Sequence, residues 1–144
     1  MKKTELAIAY FKDGYNCAQS VVMAYADEMG LTTAQAEALA GGFGGGIGGL
    51  RDKCGAFSGM VIVAGGLRGY DKNNAQSKTE FYAFIRALAD KFTDRVGNLN
   101  CADILRSVNV LVKEDPSPRS EKYYATRPCV RIVEIACEIL EETL

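Results

Sequence analysis

Apolar residues recur along much of this chain at the spacing of an α-helix. Ala18, Val21, Val22, Tyr25 and Met29 follow i, i+3, i+4, i+7, i+11, and Gly30 stands where such a helix would stop. Phe81, Phe84, Ile85, Leu88, Phe92 and Val96 repeat the pattern, with Gly97 next in line as a C′ residue. Val130, Val133, Cys137, Leu140 and Leu144 draw a third stripe, widened by Ile132, Ile135, Ala136 and Ile139. Shorter helices are expected at Thr4–Lys12, Thr33–Ala40, Gly55–Leu67 and Cys101–Leu111. Alternating strand patterns are nearly missing. The expectation is an all-α fold, a single compact helical bundle of about six or seven helices with a Gly-rich segment between helices.

Composition narrows what such a bundle does. The 144 residues suit one domain, residues 1–144, with 48% hydrophobic and 24% charged positions to build a core and a solvated surface. The net charge of −1 and the lack of a basic run argue against nucleic acid as a partner. The uncharged stretches Ala38–Leu50 and Cys54–Leu67 are interrupted by Arg51–Lys53 and are too short to span a bilayer. The N-terminal apolar run Leu6–Phe11 is too short for a signal peptide, so a cytoplasmic protein is expected, with its five cysteines reduced. Histidine is absent, which removes Cys-His and Ser-His pairs and every His-containing metal site.

The cysteines then become the main candidates for chemistry. Asn16–Cys17 and Asn100–Cys101 each pair a good N-cap residue with a cysteine at the first helical position. Cys54 leads into the Gly55–Leu67 segment, and Pro128, placed as an N1 proline, puts Cys129 in the first turn of the last helix. Four cysteines thus fall at helix N-termini, where partial positive charge and free N–H groups favour thiolates. Arg51 and Lys53 beside Cys54, and Arg127 and Arg131 around Cys129, would add to that effect. Cys137 lies inside the last apolar stripe and reads as a core residue. No C-x-x-C occurs, so any shared site must be assembled by the tertiary fold.

Gly41–Gly59 (GGFGGGIGGLRDKCGAFSG) contains nine glycines. Gly44–Gly49 formally matches G-x-G-x-x-G, but no strand precedes it and no βαβ unit surrounds it, which argues against a nucleotide loop. The segment reads instead as flexible and close-packing, with Gly45, Gly46 and Gly55 as candidate cofactor-binding residues that let backbone N–H groups approach a bound group. Tyr123 and Tyr124, by the proline-rich loop Asp115–Arg119, could line a pocket but read first as surface or packing residues.

GYNCAQSV at Gly14–Val21, CGAFSG at Cys54–Gly59, NCADIL around Cys101 and RPC at Arg127–Cys129 together resemble the C-GCAxxG-C-C family of redox-active proteins, over nearly the whole chain. The resemblance matches the family's four cysteines to Cys17, Cys54, Cys101 and Cys129 and leaves Cys137 without a counterpart. It implies redox activity and, in some members, a prosthetic group such as an iron–sulfur cluster. The resulting expectation is a four-cysteine site binding an iron–sulfur cluster, zinc or iron for electron transfer, with a redox partner protein, and with a homo-oligomer left open. The alternatives are a metal-free thiol–disulfide protein, with Cys54 or Cys129 as attacking thiolate, and a helical interaction domain whose cysteines only pack.

Overall fold

The structure, a computed structural model, describes residues 1–144 and is all-α. Its helices are α1 (Lys3–Lys12), α2 (Cys17–Ala24), α3 (Thr33–Ala40), α4 (Gly55–Leu67), α5 (Ala75–Val96), α6 (Cys101–Ser107), α7 (Glu121–Thr126) and α8 (Cys129–Thr143). Between α3 and α4 the chain makes a 3₁₀ turn at Gly41–Phe43 and one tight coil at Gly44–Ile47. No helix is long and apolar enough to cross a membrane.

The core is one continuous cluster built around α2, which packs on α1 and α4 and also meets α8. Two glycines of α4 set the closest of these approaches. A Cβ at Gly59 would lie 3.0 Å from Val21 Cβ and 3.1 Å from the Ala18 carbonyl. A Cβ at Gly55 would lie 3.4 Å from Cys17 Cβ. Small residues four apart therefore let α4 sit against the start of α2, which carries Cys54 close to Cys17.

Boundaries differ from the periodicity in three places. The regular part of α2 ends at Ala24, and the chain continues in turns to Gly30, whose φ of +73° closes the segment. Tyr25 and Ala26 stay buried there, so the apolar stripe outlasts the helix that it predicts. Helix α6 stops at Ser107 instead of Leu111 because Asn109 adopts a left-handed φ of +60° and Val110 N–H returns to the Leu105 carbonyl. Helix α7 is absent from the periodicity: it has no apolar period, and its signal is the Ser120 N-cap accepting from Tyr123 N–H.

Candidate functional site

Each cysteine of the expected four stands at a helix start, and local sequence explains why. Asn16 closes a reciprocal capping box with Gln19 ahead of Cys17, and its amide also donates to the Gly41 carbonyl at 3.0 Å. Asn100 accepts from Asp103 N–H and caps the helix opened by Cys101. Cys54 is itself the residue preceding α4, and Cys129 is the first residue of α8, with Pro128 one step outside it at the N-cap rather than at N1.

Backbone hydrogen bonds join these starts. Lys53 and Asn100 form an isolated antiparallel bridge, flanked by Cys54 N–H to Leu99 C=O at 2.7 Å and Cys101 N–H to Asp52 C=O at 2.6 Å. The segments entering α4 and α6 are thereby clamped side by side. The glycine segment is held as firmly, contrary to the expected flexibility. Gly45 and Gly46 have φ of +63° and +70°, and their carbonyls accept from Arg51 and Asp52 N–H at 3.0 and 2.9 Å. A Cβ at Gly46 would come within 2.6 Å of the Asp52 nitrogen, so only glycine fits.

Cys17, Cys54, Cys101 and Cys129 line one cleft of about 380 Å³, with Gly45, Gly46 and Gly55 in its wall. Cys137 lies elsewhere, fully buried in the core. Burial pushes its thiol up to about 12.

The four cleft thiols are electrostatically unequal. The neighbouring Cys17 thiol, followed by the Arg127 charge, the Tyr123 hydroxyl and the Arg119 charge, brings Cys129 down to about 7 against the cost of its burial. Cys129 in turn, with burial next, holds the Cys17 thiol well above its ordinary value. Cys54 departs from expectation: burial pushes it up to about 12, outweighing the Ala56 and Phe57 N–H groups at the helix start that act to lower it. It is a neutral thiol and a poor nucleophile at neutral pH. Arg51 does not serve Cys54 either. Its guanidinium turns to the Lys113 carbonyl at 2.8 Å and toward Cys101 Sγ at 3.7 Å. Arg131 faces away from the cleft and pairs with Glu134 and Glu138.

No group of three cysteine, aspartate or glutamate side chains is assembled to hold a single metal ion; among the thiols, Cys17 and Cys129 influence each other most. The segment between α6 and α8 supplies Arg127, expected from its place beside Cys129, and also Arg119, which sequence reasoning missed, and Tyr123, which it ranked as a packing residue. Arg119 donates to the Phe11 and Tyr15 carbonyls at 2.8 and 2.9 Å and lies 4.2 Å over the Phe11 ring. Tyr123 stacks on Phe11 with centroids 6.3 Å apart, and Arg127 lies 4.8 Å over the Tyr123 ring. Nothing periodic marks these residues; the usable signal is a cluster of arginine and tyrosine just before the RPC cysteine.

Fold and site together define a small all-helical protein organised around cysteines at helix starts. One family, described as Putative redox-active protein (C_GCAxxG_C_C), matches residues 15–143, and the chain belongs to it. No curated protein and no solved structure matches the chain.

Proposed function

We propose that the protein is a thiol–disulfide redox protein whose working pair is Cys129 and Cys17. The observation that carries this reading is that Cys17 and Cys129 face one cleft from the starts of α2 and α8, where their mutual influence lowers one thiol and raises the other. Family membership supports redox activity in general.

The step follows from ordinary exchange chemistry. The Cys129 thiolate attacks a disulfide R–S–S–R, forming a Cys129–S–S–R bond and releasing RS⁻, which takes a proton from solvent. Cys17 then loses its proton and attacks Cys129 Sγ, releasing the second RS⁻ and closing a Cys17–Cys129 disulfide. Two electrons pass from the protein to the substrate, and an external dithiol returns them. Tyr123, Arg119 and Arg127 stabilise the thiolate before attack, as neighbouring cations and a hydroxyl donor do for low-pKa cysteines generally.

The four-thiolate metal site is the competing reading, favoured by the convergence of all four cysteines on one cleft. Thiolates are the right donors for iron–sulfur clusters and zinc, but holding one ion would require the thiols to draw together first. Anaerobic purification followed by metal analysis and a redox titration separates the two. The dithiol reading expects metal-free, colourless protein with a two-electron couple abolished by either Cys129→Ser or Cys17→Ser. Stoichiometric iron or zinc, lost in all four cysteine variants, would overturn it.

A further inference from the structure

The cleft carries more positive charge than the one Cys129 thiolate balances. Arg51, Arg119 and Arg127 all line it, against a single carboxylate residue, Glu114. None of the three is in a salt bridge; the acid–base contacts of the protein all lie on its outer surface. Their protein partners are neutral: carbonyls of Lys113, Phe11 and Tyr15, the Tyr124 and Ser117 hydroxyls, and Cys101 Sγ. Arg51 is only 8% exposed, so its charge is withdrawn from water without a compensating anion. The Arg127 guanidinium gives one hydrogen bond, to Ser117, and keeps further N–H groups without a protein acceptor. Arginine placed this way is suited to bidentate recognition of a carboxylate.

Resting on the dithiol reading, we infer that the substrate is a small disulfide bearing carboxylate groups, held by Arg127 and its neighbouring arginines with its sulfur against Cys129. The cleft volume of about 380 Å³ is at the lower end of small-molecule sites, which favours a compact disulfide over a folded protein. The arginines also offset the repulsion between the Cys129 thiolate and an anionic substrate, a repulsion that slows such exchange between free thiols in water.

Three disulfides of similar length test this: 3,3′-dithiodipropionate, 2-hydroxyethyl disulfide and cystamine, which differ in carrying two carboxylates, no charge or two ammonium groups. Loss of free Cys129 thiol is followed for the reduced full-length protein, and each rate is divided by that of a simple free thiol with the same reagent. The expected order is dicarboxylate, neutral, diammonium, with roughly a tenfold preference for the dicarboxylate over the neutral compound, the size of one charge-assisted hydrogen bond. Arg127→Gln slows all three by raising Cys129, so the readout is the ratio, which falls toward one. Equal normalised rates, or a preference for cystamine, would overturn the inference and leave the dithiol reading standing. Calorimetry with 3,3′-thiodipropionate, which has no disulfide, covers the converse. Saturable binding that Arg127→Gln weakens, without exchange by any reagent, would retain the anion site and overturn the dithiol reading; absence of binding counts against the anion site.

Discussion

Replacing Cys17 by alanine removes the largest single influence that lowers Cys129. The substitution leaves Asn16 and Gln19, and hence the α2 capping box, in place. With Cys129 at about 7, half of it is thiolate at pH 7; a full return to the ordinary value of 9.0 would leave about one hundredth. Thiolate nucleophilicity rises with pKa at a Brønsted slope of about 0.4–0.5, so two units make each thiolate roughly eightfold more reactive. With that full return as the limit, since Arg127, Tyr123 and Arg119 remain, the variant should react more slowly than the parent at pH 7, by up to roughly sixfold, and overtake it in alkali, by up to roughly eightfold. The assay is the rate of loss of the free Cys129 thiol with 2-hydroxyethyl disulfide, quenched in acid and read on the Cys129 peptide by mass spectrometry. The parent profile rises through about 7 and then levels, because the attacking form is the deprotonated one. An inflection that stays near 7 in Cys17→Ala, with no crossing of the two profiles, would refute the pairing as the cause.

Tyr123→Phe keeps the ring against Phe11 and removes only the hydroxyl, so the Cys129 inflection should rise, but by less than in Cys17→Ala, in the same assay. Gly46→Ala should destabilise the fold by about 2 kcal/mol or more in urea titration, since both its left-handed φ and the Arg51–Asp52 backbone oppose a Cβ. Gly65→Ala, at a helical position in α4 where a Cβ would face open space, should instead stabilise by about 0.5–1 kcal/mol. Cys137→Ala should cost about 1–2 kcal/mol of stability through lost core packing while the Cys17–Cys129 disulfide forms at the parent's rate. Under native labelling at pH 8, Cys54 and Cys137, both pushed up to about 12, should stay unmodified while Cys129 reacts, and both should label once urea unfolds the chain.

Much of this arrangement is legible in local sequence, because helix starts are local events. Asn16 and Asn100 announce the positions of Cys17 and Cys101, and the apolar period of the last helix separates Cys137 from the others. Which thiols meet is a different kind of fact. It depends on how the helices pack on α2: α8 brings Cys129 to it, and α4 brings Cys54 by an approach set by missing side chains at Gly55 and Gly59 facing Cys17, Ala18 and Val21. Spacing along the chain carries no trace of that approach. The ionisation of each thiol is also non-local: Cys54 has the helix start expected to lower it, yet its burial wins, while Cys129 gains Tyr123 and Arg119 from an aperiodic segment. The glycine segment misleads for the same reason. A run of glycines suggests freedom, whereas Gly46 and Gly49 are there because the Arg51–Asp52 and Glu114 backbones leave no room for a side chain.

The most direct test of the working pair is to locate the disulfide. Reduced protein, equilibrated anaerobically with 2-hydroxyethyl disulfide, alkylated and digested, should yield a single linkage joining the Cys17 and Cys129 peptides. That linkage should form with the loss of two hydrogens and disappear on adding a dithiol. A linkage joining Cys54 to Cys101, or protein that takes up no disulfide at all while retaining stoichiometric metal, would contradict the account.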